Sequence, residues 1–264
     1  MQPFVGQYVS EVSGNTKQAK ETLKRRSLER IDTWGKNLFL TFKSKRRGTD
    51  VITIRTHFLM FGSYRINDPR PDRTPRLELK FSNGIVDFYS CSIRFDETAH
   101  WQDLDRHVDL MSDVWDFGRV VELMEQRREF WLCDLLLDQN VFAGSGNIIK
   151  NEVLFNVRLH PLTRLRQVDG RDWPKLAQAV HDYSWNFYDW KKKFELRKHW
   201  QVYSRSTCPI CQEKLVRQKL GRFQRRTFYC QVHQVRPSRR KRLIVHEVLP
   251  MRDSASAETR LVDH

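Results

Sequence analysis

Alternation dominates the first hundred residues. The runs NLFLTFK (Asn37–Lys43), DVITIRTHFLMFGSYRI (Asp50–Ile66) and PRLELKFSNGIVDFYSCSIRF (Pro75–Phe95) are rich in β-branched and aromatic residues. Apolar and polar side chains there exchange places with period two, the signature of half-buried strands. Asn83-Gly84 lies between two such runs and predicts a hairpin. The pattern predicts a β-sandwich or flattened barrel. Beyond DLMSDVWD (Asp109–Asp116) the period changes to that of helices, over Phe117–Gln126, Arg128–Gln139, Ile148–Val157 and from Trp173 to about Trp200. Pro174 suits the first turn of the last of these. From Gln201 the chain becomes a small cysteine-bearing module. The expected organisation is α+β and multi-domain: a β-sandwich over 1–116, a helical domain over 117–205, a cysteine module over 206–235 and a basic, disordered tail over 236–264.

Charge narrows the partners. Lys and Arg number 47 against 32 Asp and Glu, a net charge of +15. Such a chain meets a polyanion, with nucleic acid ahead of an anionic membrane. No apolar run is long enough to span a bilayer, and residues 1–20 have no secretory h-region. The expected location is the cytoplasm, at the nucleoid if the source is bacterial. Arg236–Arg242 (RPSRRKR) is a basic run that strengthens nucleic-acid binding, or a nuclear address.

Three of the five cysteines cluster. CPIC supplies Cys208 and Cys211, and CQVH supplies Cys230 and His233. Two such pairs, one on each side of a hairpin turning at Gly221, fit tetrahedral structural zinc of the Cys3His type. A module this small cannot bury enough surface to fold without metal. One structural Zn2+ per chain is therefore expected, with Arg222, Arg225 and Arg226 at the hairpin tip. Cys91 and Cys133 stand alone in apolar surroundings and read as small buried hydrophobes.

NVFAGSGN (Asn140–Asn147) joins two helical segments. A dinucleotide loop is excluded, because a helix precedes it and Ile149 stands where the third glycine of G-x-G-x-x-G belongs. Two readings remain open. It is an ordinary glycine-rich connection, or a tight turn that brings backbone close to a phosphate, with Asn147 as N-cap of the next helix.

These segments together resemble the formamidopyrimidine-DNA glycosylase / endonuclease VIII family. LLLDQNVFAGSGNIIKNEVLFNVRLHPL resembles its helix–two-turn–helix, and QVYSRSTCPIC…GRFQRRTFYCQVH its zinc finger. HFLMFGSYRI resembles the strand bearing its intercalating residue, and WGKNLFLTF its lysine-bearing hairpin. The likeness runs over roughly residues 1 to 235 in family order. It implies a monomer of β-sandwich, helical domain and zinc finger, with damaged double-stranded DNA in the cleft between them. By position it makes Lys36 the catalytic lysine and Met60 the wedge filling the gap of a flipped base. It makes Asn147 and Arg225 the phosphate grips. The implied activity is excision of oxidised bases, then nicking of the abasic site by β/δ-elimination through a Schiff base.

Three departures qualify the resemblance. The family opens Met-Pro-Glu-Gly-Pro and uses the freed proline amine as nucleophile. This sequence opens MQPFVGQYV, and QPFVG matches the end of the family's first helix. Either the start lies further upstream, or the lineage is a non-catalytic damaged-DNA-binding protein that has lost the nucleophile. A further route, minor beside these two, uses Lys36 as a substitute amine, since lysines form Schiff bases when their pKa is lowered. In YSCSIRFDE, matched to a family loop, Ile93 stands where the formamidopyrimidine branch has an arginine two residues before Phe95. That favours the endonuclease VIII-like branch. His233 replaces the usual cysteine, and zinc accepts it.

Overall fold

The computed structural model describes residues 1–45, 50–96, 103–236 and 243–246. The chain divides into two compact units, Met1–Leu104 and Asp105–His264. The boundary falls earlier than the expected residue 116. Asp105 anchors its segment by accepting from Arg119 Nε at 2.9 Å, and the amide of Leu110 donates to Ala143 at 3.0 Å. The intervening residues thus belong to the helical unit.

The first unit holds β1 (Glu11–Ser13), β2 (Arg26–Trp34), β3 (Asn37–Ser44), β4 (Val51–Ile66), β5 (Leu77–Phe81) and β6 (Gly84–Asp96). All pairings are antiparallel, in the order β1-β5-β6-β4-β3-β2. Residues 6–9 also hydrogen-bond to β2: the Gly6 amide donates to Leu28 and the Val9 amide to Arg26. One N-terminal segment thereby touches both ends of the sheet and folds it over as a flattened sandwich. Period-two alternation sends Leu77, Leu79 and Phe81 inward with Leu28, Leu40, Phe42, Ile54, Val86 and Phe88. Cys91 joins this core, where burial pushes its thiol up to about 11. The expected hairpin forms between β5 and β6, with Ser82 and Asn83 as its two turn residues and Gly84 already paired with Phe81.

Tyr89–Asp96 is strand, as the alternation predicts and not the loop that the family match implies. Ile93 is only 4% exposed and sits in the core cluster. Its strand register places it inward, so it cannot reach a ligand.

Asp87 is an exception among the sheet's polar residues. It is fully buried at 0% exposure, opposite Glu78, and neither carboxylate oxygen has a hydrogen-bond partner among the described residues. Burial, then the Glu78 charge, pushes its pKa from 3.8 up to about 6. The unfolded chain loses this proton near pH 4 and the folded chain holds it until near pH 6. Between those values the folded state binds more protons, so this contribution is fully present below about pH 4 and lost by about pH 6. Two pK units correspond to about 3 kcal/mol. Asp87→Asn is expected to flatten that slope and to melt higher than the parent at pH 7. Superimposable melting-temperature profiles from pH 4 to 8 would refute this account.

The second unit contains α1 (Phe117–Glu125), α2 (Leu132–Leu135), α3 (Asn147–Asn156), α4 (Trp173–Lys192), and the hairpin strands β7 (Val216–Leu220) and β8 (Arg225–Tyr229). Asp116 caps α1 by accepting from the Arg119 amide at 3.0 Å. Of the helix expected over Arg128–Gln139, only α2 forms. The Leu132 and Cys133 amides donate instead to the carbonyls of Thr163 and Pro161. Beyond α2, Gln139 Nε2 donates to the Leu137 and Ser145 carbonyls while its Oε1 accepts from the Gly144 amide. These bonds replace helical ones and hold two successive turns. α4 ends at Lys192, short of Trp200, because Phe194 turns left-handed at φ +59°.

The cysteine module packs into the helical unit and shares one core with it: Phe155 and Val202 beside Cys208, Leu215, Phe228 and Cys230. The expected tail is also partly ordered. Leu243 exchanges backbone bonds with Gln167 and Asp169, and Val245 is buried, its amide donating to Asp172. Residues 237–242 and 247–264 lie outside the described residues.

Candidate nucleic-acid interface and metal centre

Lys36 stands at the tip of the β2–β3 hairpin, where Trp34 pairs with Asn37 and Gly35 takes φ +56°. It is exposed. Asn37 in turn pairs with His57 of β4. Burial lowers the His57 pKa, and the Lys36 and Arg55 cations lower it further. His57 was not singled out from the sequence, because a lone histidine in an alternating strand carries no signal.

Met60 belongs to the same end of the sheet. After His57 and Phe58, β4 breaks register with β6: Phe58 pairs with Cys91 and Ser63 with Tyr89, so residues 59–62 face Ser90 alone. The surplus is pushed into solvent. Leu59, Met60 and Phe61 are 57%, 77% and 76% exposed. Gly62 makes the return possible, since a Cβ there would lie 2.9 Å from both Phe58 Cα and the Ser90 carbonyl.

In the second unit, Gly144 answers the glycine question in part: it takes φ +99°. Gly146, not Asn147, is the N-cap of α3, in extended backbone. Asn147 is the first helical residue, and its Nδ2 donates to the Arg226 carbonyl at 2.9 Å. Lys150 and Asn151, on the same helix face, reach that carbonyl at 3.4 Å each. Lys150 also donates to Thr227 Oγ1 at 2.7 Å, and Asn151 Oδ1 accepts from the Phe228 amide at 2.8 Å. Lys150 is 0% exposed, and burial drops its pKa to about 8. The structure thus brings Asn147 together with the strand that carries Arg225.

The hairpin tip is fixed separately. Asp134 accepts from the Arg222 and Phe223 amides at 2.9 and 3.3 Å. Gly221, at φ +71°, leaves room for that carboxylate; a Cβ there would meet Asp134 Oδ1 at 2.3 Å. Arg222, Arg225 and Arg226 remain exposed. Glu152 accepts from the amides of Gln201, Val202 and Tyr203 at 2.8, 3.0 and 2.7 Å. Cys133 is buried beside Asp134, and its thiol is pushed up to about 12.

Cys208, Cys211, Cys230 and His233 converge. Their ligand atoms all lie within 4.8 Å of one another. His233 Nδ1 is 3.6 Å from Cys208 Sγ and 3.3 Å from Cys230 Sγ, and Cys211 Sγ is 3.6 Å from Cys230 Sγ. Bonds of about 2.0–2.3 Å in a tetrahedron require donor separations of roughly 3.3–3.8 Å. The four residues fit a single metal ion.

Comparison with known proteins agrees with this arrangement. Residues 116–183 match the formamidopyrimidine-DNA glycosylase H2TH domain. Endonuclease 8-like 3 of Xenopus laevis is 32% identical over 212 residues, covering 76% of this chain and 33% of that protein. The chain thus spans about a third of that relative's length. The solved structure of a viral DNA glycosylase superposes with a TM-score of 0.77 at 21% identity, covering 88% of this chain and 95% of that one. The Lactococcus lactis formamidopyrimidine-DNA glycosylase, non-covalently bound to DNA containing an AP site, gives 0.69 at 20% identity, covering 89% and 95%. Among the described residues, no helix is long and apolar enough to cross a membrane.

Proposed function

Because this chain belongs to the formamidopyrimidine-DNA glycosylase / endonuclease VIII-like family, we propose that it is a base-excision DNA glycosylase with abasic-site lyase activity. Its substrate is damaged duplex DNA. The observation that carries this reading is the extruded Leu59–Met60–Phe61 ledge. Three adjacent apolar side chains held in water on a buried strand are costly unless something covers them. A base stack missing one member is such a partner, and an apolar wedge holds the gap open while the extruded nucleotide is worked on.

The other parts have assigned roles. Lys36, at the same end of the sheet, is the amine placed to form a Schiff base with the opened abasic sugar, from which β- or β/δ-elimination cuts the strand. Asn147, at the positive end of α3, and Arg225, on the hairpin, grip phosphate. Cys208, Cys211, Cys230 and His233 hold one structural Zn2+, which the donor set favours. That ion leaves no open position for chemistry. The chain works as a monomer on the nucleic acid of its compartment.

The deciding experiment is borohydride trapping of the 264-residue chain on duplex DNA with a single abasic site, with a gel shift alongside. A covalent adduct mapping to Lys36 is expected. A shift without an adduct would overturn the lyase assignment and leave a damaged-DNA-binding protein. Neither shift nor adduct would overturn both. In the same assay, Asn147→Ala and Arg225→Ala are expected to weaken binding to every duplex and to reduce the salt slope by about one each. Unchanged affinity would remove them from the phosphate contacts.

A further inference from the structure

Resting on the reading of Asn147 as a phosphate grip, we propose that Lys150 is a positioning residue, which takes over the Arg226 carbonyl when Asn147 turns from it to DNA phosphate. In the structure Asn147 is engaged within the protein: its Nδ2 donates to that carbonyl at 2.9 Å. Its Oδ1 is buried and has no hydrogen-bond partner among the described residues. A buried acceptor left unsatisfied is costly. Turning outward to phosphate removes that cost, but strands the carbonyl unless another donor takes it.

Lys150 is that donor. It is fully buried beneath the hairpin. Its Nζ donates to Thr227 Oγ1 at 2.7 Å and reaches the Arg226 carbonyl only at 3.4 Å. An ammonium has three donors and a carbonyl oxygen two lone pairs, so the longer bond can tighten once Asn147 leaves. Asn151 is the weaker candidate. Its Nδ2 also stands 3.4 Å from the Arg226 carbonyl, but it donates to the Asn147 carbonyl at 2.7 Å while its Oδ1 holds the Phe228 amide. The Thr227 hydroxyl in turn donates to the Arg225 carbonyl at 3.0 Å. One buried cation thus steadies the backbone of both Arg225 and Arg226 while Asn147 moves.

Phosphate strengthens the arrangement. Among the described residues, the titratable groups that bear on Lys150 are Cys133 and Asp134 of α2 and Arg225 of β8. Burial lowers its pKa to about 8 with help from the Arg225 charge, while Cys133 and Asp134 oppose the shift. A phosphate on Arg225 offsets that repulsion, and the vacated carbonyl adds an acceptor. Both make the bound protein hold the Lys150 proton more tightly than the free one. Above about pH 8 binding therefore takes up a proton, and affinity falls as pH rises. Below that pH Lys150 is charged in both states and adds no pH dependence.

The test is fluorescence anisotropy of the full chain on duplex containing a tetrahydrofuran abasic site, from pH 7 to 9, with metal content and melting temperature recorded for every variant. Wild type is expected to lose about fivefold in affinity across that range. Lys150→Met fills the same space without a donor, and should bind about tenfold more weakly at pH 7 with a flat profile. Lys150→Arg stays charged throughout, and should keep the wild-type affinity at pH 7 and hold it to pH 9. In an Asn147→Ala background Lys150→Met should cost nothing further, because no side chain remains to be released. The proposal is overturned if Lys150→Met binds as wild type does, or if its loss is as large without Asn147, which would place Lys150 on phosphate or in a purely structural role. A wild-type profile that is flat from pH 7 to 9 overturns it too, and decides the matter if Lys150→Met does not fold. Asn147→Ala that binds like wild type would instead overturn the phosphate reading beneath it.

Discussion

Stripping the metal assigned to Cys208, Cys211, Cys230 and His233 is expected to abolish binding to abasic duplex while the N-terminal unit still melts cooperatively. The hairpin shares a small core with the helical unit, and Cys208 and Cys230 are part of that core. Without an ion, three thiols and an imidazole within 4.8 Å of one another have no common partner. Structural zinc contributes apparent binding free energies of about 10–16 kcal/mol to such modules, more than the margin of an ordinary domain. The tip arginines then lose their support. The check is metal content by mass spectrometry, with anisotropy before and after a chelator. Cys208→Ser should reproduce the loss. Retention of one ion per chain by that variant, or undiminished DNA binding by the stripped protein, would refute the ligand set.

Glu152→Ala is expected to destabilise the second unit by about 3–5 kcal/mol, the cost of leaving buried partners of a charged group without it. The carboxylate is fully buried at 0% exposure, and burial pushes its pKa upward. Three consecutive amides, those of Gln201, Val202 and Tyr203, pull the other way by donating to it. These amides begin the chain's approach to Cys208, so the loss should also loosen the metal site. Calorimetry should show the second unit melting lower, with the N-terminal unit unmoved. A melting temperature within a degree or two of the parent would mean that the amides find other acceptors.

Parts of this architecture were legible because they depend on local pattern. Period-two runs fixed the strands around Phe42 and Phe88, and 3.6-residue spacing located α1 and α3. The cysteine pairs stated their own geometry, since ligand spacing is imposed by the ion. What stayed hidden depends on distant partners. Arg128–Gln139 has helical periodicity, but side-chain bonds from Gln139 and remote acceptors for the α2 amides win over it. The ledge at Met60 needs the pairing of β4 with β6 to be known, because register slippage leaves no mark in one strand's sequence. Lys150, Asn151 and Glu152 are three consecutive polar residues inside α3. Each is at most 1% exposed, because the hairpin and the segment before Cys208 bond to them. Ile93 reads as strand from its alternation and as loop from the family match, and the alternation holds.

The segment over residues 6–13 hydrogen-bonds to β2 with its first half and to β5 with its second. Exposed strand edges are where sheets recruit one another into aggregates. Here one edge strand, β2, is paired at one end by residues 6–9, and the same stretch continues into the other edge strand, β1, so part of the edge's amides and carbonyls is already engaged. A basic protein that crowds along a polyanion reaches high local concentration. This one closes off part of the surface through which crowding would otherwise lead to irreversible association.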